Sequence, residues 1–296
     1  MKIFLTGATG YLGSAVLSAL VRDGHTVTAL VRSAQKAADV AAAGGLPVEG
    51  DLGTPATYRD SAVGHDGYIH AAVEASDRKV DLDRSAIETL AELAAQAPSR
   101  VLIYTSGVWV IGDTAAPADE TAPLRPTALA TWRPIHEADV LATAGRGVRA
   151  IVVRPGIVFG GSRGIVGDLF RDAAQGRVRL VGDGQNHWPL VYDRDLGALY
   201  ALLVSSGGAA GIIHVNDEGD ERVADVAAAI AAVVPGEPTV ERQPLVDAQA
   251  ALGDYASALA LDQVVRSPRA RALGWTPTMQ TVGRHAAALY AEWKQA

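Results

Sequence analysis

Residues 2–13, KIFLTGATGYLG, decide the fold of this chain. The apolar run from Lys2 to Thr6 predicts a buried strand, and Gly7, Gly10 and Gly13 follow it directly. Gly7 permits a tight turn out of the strand, Gly10 lets the backbone approach a diphosphate, and Gly13 lets the next helix pack on the strand. The helix N-terminus then offers N–H groups to the anion. This pattern predicts a dinucleotide site that uses Gly7, Thr9, Gly10, Tyr11, Leu12 and Gly13.

The first half of the chain alternates β-rich runs with Ala-rich helical stretches, which predicts a parallel sheet with right-handed crossovers. The predicted strands are Lys2 to Thr6, Thr26 to Val31, Leu46 to Gly50, Gly67 to Ala71, Arg100 to Thr105 and Val148 to Arg154. The predicted fold class is therefore α/β, a Rossmann-type doubly wound parallel sheet with a smaller C-terminal substrate lobe.

The alternation stops after Arg154, where Gly and Pro interrupt the next forty or so residues. A further strand is predicted at Gly211 to Val215, followed by a helix from about Asp220. We therefore expect residues 1–158 to form an NAD(P)-binding domain, to which the strand near 211–215 returns. Residues 159–296 are expected to form the smaller substrate-binding lobe.

Composition limits the partners of this 296-residue chain. Its net charge of −7 disfavours nucleic acid and anionic membrane surfaces, and no apolar run is long enough to span a bilayer. The sequence contains no Cys, and its first residues leave no room for a signal peptide before the glycine turn. A cytoplasmic protein with a small-molecule substrate is expected.

The end of the second predicted strand indicates which cofactor binds. An NAD-selective site carries Asp or Glu about 20 residues past the last glycine, to bind the ribose 2′-hydroxyl. Here the position is occupied by Arg32, whose guanidinium matches a 2′-phosphate, and Ser33 and Lys36 add further donors. NADP is therefore predicted over NAD. The alternative is a solvated Arg at a strand end.

Several short motifs occur in an order that resembles the short-chain dehydrogenase/reductase superfamily, specifically the extended and atypical branches around the NAD-dependent epimerase/dehydratase family. Beyond the glycine turn they are GDL at 50–52, HAA at 70–72, YTSG at 104–107, RPGIVFG at 154–160, VYDRDL at 191–196 and ARALGW near the C-terminus. The resemblance runs nearly end to end. It implies an NAD(P)-dependent enzyme. Relatives often form dimers through two helices that flank the central sheet, so the resemblance suggests a homodimer, although the sequence itself does not give the oligomeric state.

The resemblance also implies cofactor contacts outside the glycine turn. It puts Asp51 and Leu52 at the adenine and the segment from Pro155 to Val158 near the nicotinamide. The residues so implied are Asp51, Leu52, Ala71, Ala72, Thr105, His136, Pro155, Gly156 and Val158. Simpler roles remain open, because small residues at strand ends relieve packing and Asp51 is suited to cap a turn. Asp193 and Asp195 are expected to cap a helix that begins near Leu196.

The catalytic residues depart from the superfamily pattern. Ser106 is present where the resemblance implies a Ser that holds the substrate oxygen, but Trp132 and His136 stand where the Tyr and Lys belong. By similar counting, Asp83 replaces an Asn. Indole does not titrate near neutral pH, so Trp132 stacks or donates a hydrogen bond, whereas the imidazole of His136 can exchange a proton. The two share one helix face.

Alternatives for the proton donor remain open at this point. His136 is either the donor or a structural side chain, with Arg133 and Glu137 forming an i,i+4 ion pair. Tyr192 and Tyr104 are the other candidates. Trp109, His187 and Trp188 are expected to give the pocket an aromatic lining, which favours an apolar or aromatic substrate. The other His residues lack metal-ligand spacing, so no metal is predicted.

Three functions are compatible with these residues. The first is an NADP-dependent oxidoreductase that transfers hydride to or from a small carbonyl or hydroxyl compound. In that case Ser106 holds the oxygen, and His136 or Tyr192 replaces the missing Tyr. The second is an NADP-binding sensor or scaffold without turnover, which the loss of the Tyr and Lys favours. The third is an epimerase or dehydratase, which the Arg32 interpretation disfavours.

Overall fold

A computed structural model describes residues 1–114 and 116–296. Its strands are β1 Lys2–Thr6, β2 Thr26–Val31, β3 Leu46–Glu49, β4 Gly67–His70, β5 Val101–Thr105, β6 Arg149–Pro155, β7 Ile157–Phe159, β8 Arg177–Val181, β9 His187–Trp188, β10 Leu190–Tyr192, β11 Gly211–Val215, β12 Glu221–Arg222 and β13 Thr239–Gln243. The six predicted strands of the first half and the strand at Gly211 to Val215 are all present, with ends displaced by at most one residue.

The α-helices lie between these strands and at the C-terminus. They are α1 Tyr11–Arg22, α2 Ala34–Ala42, α3 Arg59–Ala62, α4 Lys79–Ala94, α5 Arg133–Ala142, α6 Gly164–Ala174, α7 Asp193–Ser205, α8 Val223–Val233, α9 Leu245–Leu252, α10 Asp254–Leu259, α11 Pro268–Ala272 and α12 Val282–Gln295. Within the described residues, no helix is both long and apolar enough to cross a membrane.

Seven strands form the main sheet in the order β11-β6-β5-β4-β1-β2-β3, and the pairings from β6 through to β3 are parallel. The doubly wound α/β fold is therefore confirmed. Strand order reverses at the junction of β1 and β4, since β2 lies on one side of β1 and β4 on the other. Open α/β sheets bind ligands beyond the carboxyl ends of the strands at such a junction.

The chain divides into two compact units, each of which is built from three separate segments of the sequence. The first unit contains Met1–Ser106, Trp132–Arg154 and Leu196–Ile213, and the second contains Gly107–Thr131, Pro155–Asp195 and His214–Ala296. The sequence suggested one division, after residue 158. The difference arises because later segments, including α5 and most of β6, complete the sheet unit by tertiary pairing that local patterns do not encode.

Each unit has its own apolar core. In the first, side chains of β1, β4, β5 and β6 pack against α4 and α5, and Phe4, Tyr68 and Leu102 are essentially inaccessible to solvent. In the second, Phe159, Phe170 and residues of β8, α8 and α12 form a separate cluster. Strands buried on both faces explain why β1 and β5 are continuous apolar runs without alternation.

One buried ion pair joins α5 to β6 in the first unit. The guanidinium of Arg154 donates from Nε to Glu137 Oε1 at 3.0 Å and from Nη2 to Oε2 at 2.5 Å, and both side chains are almost fully buried. The predicted i,i+4 pair between Arg133 and Glu137 is wrong, because strand β6 brings Arg154 closer to that carboxylate. A fork-to-fork pair of this kind is strong only while both partners are present.

Removing one partner of the Arg154–Glu137 pair should therefore lower the free energy of unfolding far more than replacing both partners. Arg154→Met is expected to lower the free energy of unfolding by about 3–5 kcal/mol, because it leaves the Glu137 carboxylate buried without a counter-charge. Adding Glu137→Leu should restore most of that loss. Denaturant unfolding of the two single variants and the double variant checks this. A double variant as unstable as the sum of the singles would contradict it.

Candidate active site and cofactor cradle

The glycine turn joins β1 to α1 in the first unit. Gly7 has a φ of +82°, and a Cβ built there would lie 2.5 Å from the carbonyl oxygen of Ala71. A Cβ on Gly13 would lie 2.0 Å from the oxygen of Gly7. Both positions therefore require glycine, because the turn packs directly on itself and on the backbone just after β4.

The start of α1 is arranged to receive an anion. Gly10 is the N-cap residue, and among the described residues no side chain caps this helix and no acidic residue lies in its first turn. N–H groups at a helix start lack intrahelical partners and carry partial positive charge. Thr9, Tyr11 and Leu12 lie partly buried around this turn. The shape and the donors of the turn fit a dinucleotide diphosphate.

The residues predicted to favour NADP over NAD lie at and just after the end of β2, on the surface of the first unit. The Nη1 of Arg32 donates to Glu74 Oε2 at 2.7 Å, and about two thirds of the Arg32 side chain is exposed. Ser33 caps α2 by accepting from the backbone N–H of Lys36. The Lys36 ammonium pairs with Asp39 in the next turn. Sequence reasoning missed Glu74, which lies distant in the chain from Arg32.

Other predicted cofactor residues also have structural partners. Asp51 Oδ1 accepts from the backbone N–H of Gly53, so the turn-capping role is present. Leu52 packs against the core cluster of the first unit. Ala71 and Ala72 follow β4 beside the glycine turn. The hydroxyl of Thr105 lies 2.6 Å from the hydroxyl of Tyr200.

Helix α5 begins beside the carboxyl end of β5. Arg133, its first residue, donates from Nη1 to the Thr105 carbonyl oxygen at 2.9 Å and to the Tyr104 hydroxyl at 3.2 Å. Trp132 lies partly buried, and its ring meets His136 edge-on with centroids 5.2 Å apart. The predicted shared face of Trp132 and His136 is therefore present.

A buried carboxylate, that of Asp83, connects four elements of this unit. Its Oδ2 lies 2.7 Å from His136 Nδ1 on α5 and accepts from the Tyr104 hydroxyl on β5 at 2.9 Å. Its Oδ1 lies 3.2 Å from His70 Nε2 on β4. The other ring nitrogen of His70 lies 2.6 Å from the hydroxyl of Thr6, which ends β1. The sequence located Asp83 at the place of a family Asn but did not reveal this cluster.

The electrostatics of the cluster are dominated by the ionised Asp83. Burial alone raises its pKa, but hydrogen bonds from His136 and His70, together with the nearby charge of Arg133, hold the pKa well below its usual range. Burial raises the pKa of Tyr104 far above its ordinary value, and the neighbouring Asp83 raises it further. Tyr104 thus remains a protonated donor to Asp83, which argues against its candidacy as the proton source.

Three buried side-chain atoms of the first unit lack a hydrogen-bond partner among the described residues: the Tyr58 hydroxyl, Ser106 Oγ and His136 Nε2. The last two belong to residues predicted to be catalytic. Leaving a buried polar atom unpaired costs about 1–3 kcal/mol, so such atoms mark places where a ligand or water belongs. Ser106 follows β5, and its backbone N–H donates to the Val153 carbonyl. The predicted substrate-binding Ser and the His predicted in the place of the family Lys thus each have a buried polar atom without a partner among the described residues.

The remaining predicted residues belong to the second unit. The hydroxyl of Tyr192 donates to Glu292 Oε2 at 3.1 Å, and burial raises the pKa of Tyr192 well above its ordinary value. Pro155 and Val158 lie in β6 and β7. Gly156 donates to the Val215 carbonyl, and a Cβ there would lie 2.1 Å from the Pro189 oxygen. Tyr192 therefore already has an acceptor for its proton.

Two expectations about the second unit are wrong: that Asp193 and Asp195 cap a helix that begins near Leu196, and that Trp188 lines the pocket. Helix α7 begins at Asp193, so Asp193 and Asp195 lie in its first turn and do not precede it. The Asp195 carboxylate instead accepts from Thr278 and Met279. The indole of Trp188 is buried in the core and donates to Leu259, which removes it from the expected aromatic pocket lining.

Among the described residues, no three acidic or His side chains are grouped to hold a metal ion.

The chain is similar to known proteins over nearly its whole length. The model of the NAD dependent epimerase/dehydratase family matches residues 3–215. An uncharacterized protein of Schizosaccharomyces pombe is 31% identical over 290 residues, which cover 95% of this chain and 97% of that protein. A 3-diazoavenalumate denitrifying reductase of a Streptomyces species is 29% identical over 298 residues, covering 94% of this chain and 96% of the reductase.

Solved structures share the fold at lower identity. Human epimerase family protein SDR39U1, solved with NADPH, superposes with a TM-score of 0.79 at 19% identity, covering 98% of this chain and 99% of that one. Thermus thermophilus UDP-glucose 4-epimerase, solved with NAD, superposes with a TM-score of 0.82 at 20% identity and covers both chains completely. The glycine turn, the sheet order and the family match lead to one conclusion: the chain belongs to the NAD dependent epimerase/dehydratase family.

Proposed function

We propose that this protein is an NADP-dependent oxidoreductase that acts on a small carbonyl or hydroxyl compound. The observation that carries the proposal is the pair of buried polar atoms without partners, Ser106 Oγ and His136 Nε2, in the same unit as the glycine turn. A full-length relative named as a reductase supports the reaction class. The bound cofactor would supply or accept the hydride.

The protein's own residues then bind the oxygen and move its proton. Ser106 donates a hydrogen bond to the reacting oxygen, which stabilises the negative charge that develops there. In the reducing direction, hydride adds to the carbonyl carbon and His136 gives the proton of Nε2 to the oxygen. In the oxidising direction, Nε2 takes the hydroxyl proton. We choose His136 over Tyr192 because the Tyr192 hydroxyl already donates to Glu292.

Arg32 supports NADP as the cofactor. Its guanidinium lies at the end of β2, and ion pairing with Glu74 keeps that side chain beside the segment that follows β4. A 2′-phosphate would compete with Glu74 for the same donors, because a carboxylate and a phosphate accept the guanidinium fork in the same way. The ion pair is exposed and contributes little, so a dianionic phosphate can displace it. Glu74 would also repel that phosphate.

Cofactor binding should respond to Arg32 and Glu74 in opposite directions. Arg32→Ala is expected to weaken NADPH binding roughly 10- to 150-fold, from the loss of charged hydrogen bonds, with NADH affinity nearly unchanged. Glu74→Gln should tighten NADPH binding by roughly two- to fivefold, because the competing ion pair is removed. Fluorescence titration with both cofactors measures these constants.

Arg59 provides a matched control for this pair. It forms an ion pair of the same 2.7 Å length with Glu92 on the same unit, so Arg59→Ala should leave both affinities unchanged. Equal loss of NADPH and NADH affinity in Arg32→Ala would refute the 2′-phosphate assignment. Tighter binding of NADH than NADPH by the unaltered protein would refute the choice of cofactor.

Loss of either unpartnered group should impair turnover without impairing cofactor binding. With NADPH and a panel of aldehydes and ketones that includes apolar and aromatic members, Ser106→Ala should lower kcat roughly 100- to 1,000-fold. His136→Ala should lower it roughly 100- to 10,000-fold. Cofactor absorbance follows turnover, and NADPH fluorescence verifies binding.

His285→Ala is the control for loss of an imidazole, because His285 lies on α12 in the second unit. Its kcat should equal that of the unaltered protein. Turnover that survives both Ser106→Ala and His136→Ala would contradict the assigned roles. Tight NADPH binding with no turnover across the whole panel would favour the sensor or scaffold function instead.

A further inference from the structure

The buried cluster around Asp83 determines the protonation of both of its imidazoles. Three groups contact the Asp83 carboxylate: His136 Nδ1, His70 Nε2 and the Tyr104 hydroxyl, at 2.7, 3.2 and 2.9 Å. An ionised carboxylate only accepts hydrogen bonds. Each of the three contacting atoms must therefore carry a proton and donate it.

His70 is fully satisfied in this arrangement. Its Nε2–H donates to Asp83, so the Nδ1 of the neutral ring is an acceptor. The Thr6 hydroxyl, 2.6 Å away, supplies the matching donor. Both nitrogens of His70 are thus occupied by side chains of the first unit. His70 supports Asp83 and has no remaining position for a substrate proton.

His136 is arranged differently, because only one of its nitrogens is occupied. Its Nδ1–H donates to Asp83, and a neutral ring in that tautomer presents a lone pair at Nε2. That atom is buried and has no partner among the described residues. The Trp132 ring packs edge-on against the imidazole and restricts its rotation.

We propose that Asp83 is a positioning residue that holds His136 in the Nδ1–H tautomer, so that Nε2 exchanges the substrate proton. This inference rests on the function proposed above and adds a residue to it. In reduction, the Nε2–H bond of the imidazolium breaks as the new O–H bond forms, leaving the neutral Nδ1–H ring. In oxidation the same bond forms again. Asp83 remains ionised throughout and stabilises the imidazolium, as the Asp does in an Asp-His pair of a hydrolase triad.

The charges around Asp83 and His136 suit a carboxylate that stays ionised and an imidazole that exchanges a proton. From β5, the Tyr104 hydroxyl donates to Asp83 and accepts from the Arg133 guanidinium at 3.2 Å, so a fixed cation balances part of the carboxylate charge. Of the two acids on α5, Glu137 is paired with Arg154 of β6, and Asp139 is exposed to solvent. Among the residues that the structure describes, His70 is the side chain of β4 that contacts the carboxylate, and both of its ring nitrogens have partners. The proton-exchanging group in this cluster is therefore His136.

An amide at position 83 would place a hydrogen-bond donor where one oxygen of the carboxylate now accepts. The Nδ2 of an Asn carries protons, so at least one of the present donors would face another donor. The favourable response is for His136 to release Nδ1 as an acceptor and carry its proton on Nε2. Asp83→Asn therefore tests the inference with almost no change in side-chain volume.

The tautomer can be observed directly in the intact protein. In protein labelled with ¹⁵N-histidine, long-range ¹H–¹⁵N spectra at pH 8 should show the neutral His136 ring protonated on Nδ1, with its signal assigned by loss in His136→Ala. In Asp83→Asn the proton should move to Nε2 in a large fraction of molecules. A wild-type ring protonated on Nε2 would overturn the inference, even if the variant failed to fold.

Kinetics provide the second measurement. Asp83→Asn should lower kcat by at least about 100-fold, because the wrong tautomer cannot accept the proton, while NADPH affinity changes less than about threefold. Asp66→Asn is the matched control, since Asp66 contacts the backbone of Lys2 outside the cluster, and its kcat should not change. A tautomer switch with unchanged kcat would overturn the positioning role. Failure of the unaltered protein to bind NADPH would instead overturn the proposed function, and the spectra would still decide the tautomer.

Discussion

The buried Asp83 carboxylate, on α4, connects that helix to β4, β5 and α5, and the candidate site depends on this connection. A charge that is 97% removed from solvent is stable only where donors replace the lost water, and here they come from β4, β5 and α5. These elements must keep their relative positions, because a shift of any one would leave part of the charge uncompensated. Burial raises the pKa of this carboxyl, yet its hydrogen bonds more than offset that effect. The free-energy cost of burying the Asp83 carboxylate is thus offset by hydrogen bonds that also fix the positions of the surrounding side chains.

The same cluster connects the glycine turn to the candidate active site. Thr6 is the last residue of β1, and its hydroxyl contacts His70, whose ring reaches Asp83 and through it His136. One residue after Thr6, the backbone of Gly7 lies against Ala71, which directly follows His70. The turn that fits a diphosphate and the imidazole suited to proton exchange therefore share one rigid support. Rigid support of this kind keeps reacting groups in register.

The family assignment leaves the chemistry of this chain distinctive. The resemblance predicts that Trp132 and His136 stand where a Tyr and a Lys belong, and the proposed function assigns the acid–base role to His136, four residues further along the chain than Trp132. Asp83, predicted to stand in the place of an Asn, gives the imidazole of His136 a carboxylate partner. Trp132 keeps a packing role against the ring that it precedes. Trp132, His136 and Asp83, which lie at separate places in the sequence, thus form one connected set of contacts.

Local pattern determined much of this protein. The strand-turn-helix at residues 2–13, the six strands of the first half and the unusual residues at 132 and 136 are all readable from spacing and residue type, because each depends on neighbours within one or two turns. What Arg154, Glu74 and His70 contact was decided only by the tertiary structure. Their partners, Glu137, Arg32 and Asp83, are brought near by strand order and helix docking. The expected Arg133–Glu137 ion pair does not form, because strand pairing brings Arg154 to the Glu137 carboxylate with better geometry. A buried carboxylate binds the best-placed donor, whatever the distance between the two along the chain.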